Sequence, residues 1–363
     1  MDTTDPDIYF DEQGVCNHCY RYDTLLADRT FSGEKAKTRL AEVVGLIKDS
    51  GKGKEYDCII GVSGGVDSTY VAYLVKQLGL RPLAVHFDNG WNSELAVSNI
   101  EKVLKVLDID LYTYVIDWEE FKQLQLSFLK ASTPDGEVPT DHAISALLFE
   151  IAAKHDIKYI ISGMNFATES MAVSAWAYGH SDWKYIKAVH KNFSNQTLKN
   201  YPHFSLAKLF YYTFIKKIKV AAILNYVEYN KQEAMDVLQQ QLGWVYYGGK
   251  HYESVYTRFY QSYILPVKFN IDKRRGHLSD LIRSGQVTRD EALEEMSKPT
   301  ADPKMIDEDR SFAIKKLELS DAAFESIMQA PKKNFTDYPN NYGLVSKVKK
   351  VINWMRRKNL YTK

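Results

Sequence analysis

Cysteine is scarce in this chain, with three in 363 residues. That is too few for a disulfide framework and points to a reducing, cytoplasmic setting. Net charge is nearly absent: 47 basic against 46 acidic side chains leave +1, which gives no electrostatic case for a nucleic-acid partner. No run approaches the roughly 20 apolar residues of a membrane span. The nearest, Leu209 to Val227, is broken by Lys216, Lys217 and Lys219 and reads as a buried or amphipathic helix, with membrane-surface contact as the alternative. The acidic start (Asp2, Asp5, Asp7) has neither the basic nor the apolar segment of a secretory leader, and there is no internal repeat. Aromatics are plentiful: 25 tyrosines and six tryptophans, gathered after residue 170, suit a ligand pocket or a tyrosine-rich core. The length allows two domains, or one with large additions.

The most informative stretch is Tyr56-Asp-Cys-Ile-Ile-Gly-Val-Ser-Gly-Gly-Val-Asp-Ser-Thr-Tyr70. An apolar run, Cys58 to Val62, breaks at Gly64-Gly65 and resumes with helical spacing through Val71, Leu74 and Val75, which predicts strand, tight turn, helix. A turn of that kind collects N–H groups and hydroxyls at a helix N-terminus, where phosphate binds well. The G-x-x-x-x-G-K-[ST] phosphate loop is missing. A plain glycine turn would explain the glycines but not the joint presence of Ser63, Asp67, Ser68 and Thr69.

Upstream, Cys16 and Cys19 have the C-x-x-C spacing of half a zinc knuckle, which His18 or a distant His or Asp would have to complete; a plain cysteine turn is the alternative. Apolar positions Leu40, Val43, Val44 and Ile47 predict a helix over 32–50. Beyond it, strands over 56–62, 81–87, 111–116 and 158–162 alternate with helices over 68–78, 93–107, 118–130 and 141–155. This predicts an α/β fold with a doubly wound parallel sheet. Domain bounds follow as 1–50 for the C-x-x-C segment and first helix, 51–170 for the nucleotide-binding domain, and 171–363 for a mainly helical substrate or partner region. Ligands of such sheets sit beyond the carboxyl ends of the strands. The residues there are Ser63, Gly64, Gly65, Val66, Asp67, Ser68 and Thr69, then His86, Phe87 and Asp88, then Gly163 and Asn165. Asp67 and Asp88 are candidates for Mg²⁺, and backbone near Val85 and Phe87 for an adenine edge. A plain Asp88-Asn-Gly turn is the alternative for Asp88.

The 63–69 loop resembles the SGGxDS loop of the ATP pyrophosphatases, which split ATP between the α and β phosphates. Together with Val85-His-Phe-Asp-Asn-Gly90 it is similar to the adenine nucleotide alpha hydrolase-like (HUP-type) domain shared by GMP, NAD and asparagine synthetases and tRNA thiolases. The C-terminal half narrows the resemblance through Tyr247-Gly-Gly-Lys-His-Tyr-Glu-Ser254, Phe259-Tyr-Gln261, Leu265-Pro-Val-Lys-Phe269, Asp272-Lys-Arg-Arg-Gly-His-Leu278 and Ser284-Gly-Gln-Val-Thr-Arg-Asp-Glu-Ala-Leu293. With the Cys16/Cys19 pair, these resemble the N-acetyl sugar amidotransferases of surface-polysaccharide (lipopolysaccharide, O-antigen) and sialic-acid-like sugar pathways, over about residues 8–340.

That resemblance implies ATP and Mg²⁺ as cofactors and a nucleotide-linked N-acetyl sugar as substrate, with Zn²⁺ on the cysteines left open by their spacing. AMP transfer to the acetamido oxygen and attack by ammonia would yield an acetamidine. Asp67, Lys250, His251 and Glu253 are the expected catalytic set. Arg258, Lys273, Arg274, Arg275 and His277 are expected to hold the substrate's phosphate and carboxylate, since guanidinium forks suit both; a solvated basic helix end is the alternative. No cysteine sits in a glutaminase-like context, so a separate glutaminase and a cyclase-like channelling partner are expected. The rival readings are a tRNA-thiolating or other adenylating enzyme, which would want a reactive cysteine, and a non-catalytic nucleotide-binding regulator. Residues 171–204, rich in aromatics and His, are expected to cover the substrate. Thr288-Arg-Asp-Glu291 reads as a capping box, helices are expected over 307–317 and 320–329, and Leu344 to Arg357 is expected to form a basic amphipathic helix.

Overall fold

The computed structural model describes residues 1–171 and 173–347. Five parallel strands form its sheet: β1 (Cys58–Gly61), β2 (Pro82–Asp88), β3 (Asp110–Val115), β4 (Tyr159–Ile161) and β5 (Lys219–Ala221), in the order β3-β2-β1-β4-β5. The register sets Gly61 beside Val85, Phe87 beside Tyr114, and Ile60 beside Ile161. Chain order runs outward from β1 to β3 and then returns to β4 on the other side of β1. The switch point, where such sheets open a ligand crevice, therefore lies between the carboxyl ends of β1 and β4.

Alternate strand residues serve opposite faces, as the period of two requires. Ile59, Leu83, Val85, Phe87 and Ile160 pack into one core, and Cys58, Ile60, Ala84, Tyr159 and Ile161 into the other. The second core is closed by helices Gly33–Ser50, Val66–Gln77, Glu94–Leu107 and Lys231–Leu242. The first is closed by Trp118–Ala131, Val138–Lys154 and Trp183–Phe193, and by C-terminal elements carrying Tyr256, Phe259, Leu265, Ile314 and Phe324.

The four expected strands and the helices between them are present, with ends shifted by up to three residues. The stretch 209–227 is not one helix. It divides into helix Leu206–Phe210, a π-helical turn Tyr211–Ile215, β5 and a 3-10 turn Ile223–Tyr226. Lys217 is left-handed at φ 57°, which ends the helical path, and Val220 then pairs with Ile160. Nor is 171–204 chiefly a cover. Trp176, Tyr185, Ile186, Val189, Tyr201 and Phe204 are buried core residues, because the segment's apolar face packs on the helix Trp118–Ala131. The capping box forms as expected, with Thr288 and Glu291 bonding reciprocally, and the helices near 307–317 and 320–329 run over Pro303–Lys316 and Asp321–Gln329. Of the expected terminal helix, residues 342–347 are helical and 348–357 lie outside the described residues.

Candidate active site

The loop after β1 is held by its own hydroxyls. Ser63 N–H donates to Ser68 Oγ at 3.3 Å, the two serine hydroxyls lie 3.1 Å apart, and Gly65 N–H donates to Ser63 Oγ at 3.3 Å. Gly64 has φ +80°, and a Cβ there would stand 2.6 Å from the Ala96 carbonyl oxygen, so only glycine fits. Gly163, after β4, carries the second close approach. A Cβ would lie 3.2 Å from Ser68 N and 3.3 Å from Asp67 C, so the β4 turn rests against the first turn of the loop's helix.

A strap of residues 244–254 lies over this loop. Trp244 Nε1–H donates to Gly64 O at 2.9 Å, and Val66 N–H donates to the Tyr247 hydroxyl at 3.3 Å. Asn99 fixes Val245 through both its backbone groups. At its far end Ser93 N–H donates to Glu253 O at 2.8 Å and Val255 N–H to Trp91 O at 2.9 Å. Glu253 is thereby brought down on the loop, and a Cβ on Gly65 would be 3.4 Å from its Oε1. His251, itself left-handed at φ 63°, faces Glu253 Oε1 at 3.6 Å. Burial alone would raise the Glu253 carboxyl, but the His251 bond and charge, a backbone N–H and the Lys250 charge together make the net shift downward.

Asp67 is bonded by the Tyr229 hydroxyl. Burial, then the Glu169 charge, pushes its carboxyl upward despite Lys250 and Lys231. Lys250 Nζ reaches Glu169 at 3.3 Å and His277 Nδ1 at 3.1 Å. Burial, then the Lys250 charge, holds the His277 imidazole well below its ordinary value. It is thus neutral, and its Nε2 is buried without a partner.

Two cavities meet here. The larger, about 470 Å³, runs from Ser63, Ser68 and Gly163 past Val85 and Phe87 to His251 and Glu253. The smaller, about 280 Å³, is lined by Lys231, Lys250, Tyr252 and His277. Gln261 and Lys273 line both. Four buried polar atoms without partners lie on their walls, in Glu137, Glu253, Ser262 and His277, and native interiors rarely leave such atoms unpaired. Val85 O already accepts from Val62 N–H. Phe87, two residues on, turns its peptide groups to the same side, beyond the end of β1, where an adenine edge fits.

The loop residues Ser63–Thr69, Gly163, Lys250, His251, Glu253, Lys273 and His277 are thus brought together. Others have structural duties. Arg258 forms a fork on Asp309 at 2.6 Å for both bonds. Arg274 is held by Asp272 and by the carbonyls of Glu295, Lys298 and Pro299, and Arg275 by Asp2 at 2.5 Å. Their forks already have partners, yet Arg258 and Arg274 still line the smaller cavity beside Lys231, Lys250 and Lys273. Asp88 Oδ1 accepts from Gly90 N–H at 2.8 Å and from Asn92 Nδ2, which is the turn role. His86 Nδ1 bonds Val62 O at 2.9 Å and so braces the loop. Asn165 caps Thr168, leaving its Nδ2 unpartnered.

The zinc expectation fails on its donor set. Cys16 and Cys19 are 3.4 Å apart, but His18 is turned to Asp5 at 2.6 Å and the cation Arg283 lies 3.7 Å from Cys19 Sγ. Among the described residues no group of three His, Cys, Asp or Glu side chains is arranged for a metal.

Sequence reading missed one whole wall of the larger cavity, formed by Asp135, Glu137, Asp141 and His180. His180 Nε2 lies 2.8 Å from Asp135 and 3.5 Å from Asp141. Asp135 holds the imidazole up to about 9 against its burial. Asp135 and Glu137 follow a helix, Asp141 lies in the first turn of the next and His180 in a later loop, so inspecting strand ends passes over them. The available signal was Asp135-x-Glu137 in a Pro/Gly loop with Asp141 in the helix that follows it.

Residues 57–222 match the family model of queuosine biosynthesis protein QueC, and residues 253–352 match the LPS biosynthesis protein WbpG-like C-terminal domain. The chain joins a PP-loop, ATP pyrophosphatase-type domain to a WbpG-like C-terminal domain. The PP-loop match runs to 222 and so includes β5, while the WbpG-like match opens on Glu253, over the loop. The uncharacterized protein MJ1599 of Methanocaldococcus jannaschii is 25% identical over 290 residues, covering 78% of this chain and 86% of that one. The tRNA-specific 2-thiouridylase MnmA 2 of Fusobacterium nucleatum is 26% identical over 152 residues, 39% of this chain and 41% of its own. Among solved structures, the NH3-dependent NAD synthetase of Campylobacter jejuni aligns at 14% identity and TM-score 0.30, covering 82% and 98% of the two chains. NMN synthetase of Francisella tularensis aligns at 14% and 0.30, covering 52% and 96%. Alignments at that TM-score carry no argument about the reaction. No helix among the described residues is long and apolar enough to cross a membrane.

Proposed function

We propose that this chain adenylates the acetamido oxygen of a nucleotide-linked N-acetyl sugar and lets ammonia displace AMP, giving an acetamidine with release of AMP and pyrophosphate. The observation that carries the reading is the junction of the two domains at one point: Glu253, where the WbpG-like match begins, lies against Gly65 of the PP-loop.

An amide carbonyl is a poor electrophile, and AMP on its oxygen makes it a good one. The loop's N–H groups and serine hydroxyls receive the departing pyrophosphate at the helix N-terminus. Asp67 and Glu169, whose charge helps to push the Asp67 carboxyl up, have the hard oxygen donors that Mg²⁺ prefers and would hold it. When bound, the ion supplies charge neutralisation on the phosphates. Lys231, Lys250 and Lys273 line the smaller cavity with positive charge and suit the sugar nucleotide's diphosphate. Gln261 and Lys273, shared by both cavities, let the acetamido group reach ATP in the larger one. The His251–Glu253 pair orients that group, and the step proceeds by positioning and charge stabilisation without a side-chain nucleophile.

Similarity to thiouridylases favours a second reading, thiolation of tRNA. It wants a reactive thiol at the nucleotide, whereas Cys58 is fully buried in β1 and its thiol is pushed up by burial. Ammonia is proposed to come from a separate glutaminase through a cyclase-like channelling protein.

The test is exchange of labelled pyrophosphate into ATP with a panel of UDP-linked N-acetyl sugars. Sugar-dependent exchange is expected. Exchange that is absent with every sugar, or that instead depends on tRNA, removes this reading.

A further inference from the structure

The wall formed by Asp135, Glu137, Asp141 and His180 lines the larger cavity with three carboxyl groups, which do not suit the phosphates of ATP or of the sugar. Gly136 lies against the Tyr260 ring, where a Cβ would come within 2.4 Å of Cε2. Tyr260 and Tyr185 hydroxyls tie Thr133 at 3.3 and 3.2 Å. His142 Nδ1 bonds the His180 carbonyl at 2.9 Å. Segment 132–137 is therefore fixed before any ligand arrives.

Glu137 is 8% exposed. One carboxyl oxygen, Oε2, accepts from Thr257 Oγ1 at 2.8 Å. The other, Oε1, has no partner and belongs to a residue lining the larger cavity. A buried unpaired carboxyl oxygen is unfavourable, a burden that a ligand donor would relieve. Thr257 Oγ1 also lies 3.0 Å from Ser254 Oγ, next in chain to Glu253 above Gly65. Glu137 thus faces the PP-loop cavity and is linked toward the strap through two hydroxyls.

We propose that this wall is the subsite for the amine nucleophile, and that Glu137 Oε1 accepts ammonia's proton as it attacks. The inference rests on the amidine-forming reaction proposed above. Ammonia's lone pair forms the C–N bond and one N–H proton passes to Glu137 Oε1. The C–O bond to AMP then breaks, with its electron pair going to the phosphate oxygen. The product leaves as the amidinium, and Glu137 returns the proton to solvent. The Asp135–His180 ion pair and Asp141 supply the negative surroundings that hold an N–H donor. Lys273, which lines the same cavity, is the opposing charge. Burial, then the Asp141 charge, pushes the Glu137 carboxyl up to about 8, a value suited to a base working near neutrality.

The test separates the two steps in the full-length chain. Glu137→Gln is expected to retain sugar-dependent ATP–pyrophosphate exchange while kcat/KM for ammonia, assayed with ammonium chloride, falls about 100-fold or more. With free NH3 held constant, the wild-type value is expected to rise with pH through about 8, and the variant is expected to lose that rise. Thr257→Val, which removes the hydrogen bond favouring the ionised carboxylate, is expected to move the rise to higher pH. The inference is overturned if the Gln variant keeps the ammonia-dependent rate and its pH rise, or if Thr257→Val leaves the rise in place. Absence of sugar-dependent exchange in the wild type instead refutes the reaction itself, and the inference with it.

Discussion

Neighbouring glycines of the loop have opposite predicted sensitivities. At Gly64 the backbone is left-handed, and a Cβ meets the Ala96 carbonyl oxygen at 2.6 Å and its carbon at 3.1 Å. These are backbone atoms that cannot rotate away. Left-handed strain in an alanine is about 1–2 kcal/mol, and the overpacking adds about 1–3 kcal/mol, so Gly64→Ala should lose about 3 kcal/mol. At the usual few degrees per kcal/mol, Tm should fall by about 5 °C or more. Gly65 has an ordinary φ of −74°, and its Cβ meets three side-chain oxygens at 3.2–3.4 Å. Gly65→Ala should stay within about 1 kcal/mol of wild-type stability. Its methyl group would nonetheless stand between loop and strap, where phosphate must enter, weakening binding of α,β-methylene-ATP by about tenfold or more, or ~1.4 kcal/mol. Thermal melts and calorimetric titration measure the two effects. An unchanged melt for Gly64→Ala, or unweakened nucleotide binding for Gly65→Ala, would falsify this account of the loop.

Four further outcomes follow from the same geometry. Cys58→Ala should lower stability by about 1 kcal/mol and leave sugar-dependent pyrophosphate exchange intact; abolished exchange would favour the thiolation reading. Asp309→Ala breaks the buried fork on Arg258 and should cost about 3–5 kcal/mol in urea melts, with a negligible loss marking the pair as incidental. Glu137 has a folded-state value of about 8, well above an ordinary glutamate, so its ionisation disfavours the fold. Stability should therefore decline as pH rises from about 4.5 toward 8 and level off above, and melts of Glu137→Gln should lack that component. Glutamine alone should support amidine formation far more slowly than ammonium, and equal rates would argue against a separate glutaminase.

The sheet and the PP-loop were legible because their signals are local: a short apolar run, two glycines and a helical period fix β1, the turn and the helix. The strap was partly legible, since Tyr247, Lys250, His251 and Glu253 stand in its motif, while Trp244, and the way it and Tyr247 fasten the strap, were not. An aromatic's bond to a loop 180 residues away leaves no periodic trace. The ion pairs of Arg258, Arg274 and Arg275 were hidden for the same reason. A guanidinium in sequence does not reveal that Asp309, Asp272 or Asp2 will face it. β5 was hidden because three edge residues beside a lysine-broken apolar run look like a helix end. The Glu137 wall was hidden because its chemistry depends on which oxygen the fold leaves unpaired.

The central claim is the conversion of an acetamido group to an acetamidine by way of AMP. It is tested most directly by mass spectrometry of a reaction containing ATP, ammonium and UDP-linked N-acetyl sugars. A sugar nucleotide about one dalton lighter, the difference between C=O and C=NH, is expected, formed in step with AMP and pyrophosphate. ATP turnover to ADP, or AMP formation with a sugar of unchanged mass, would contradict it.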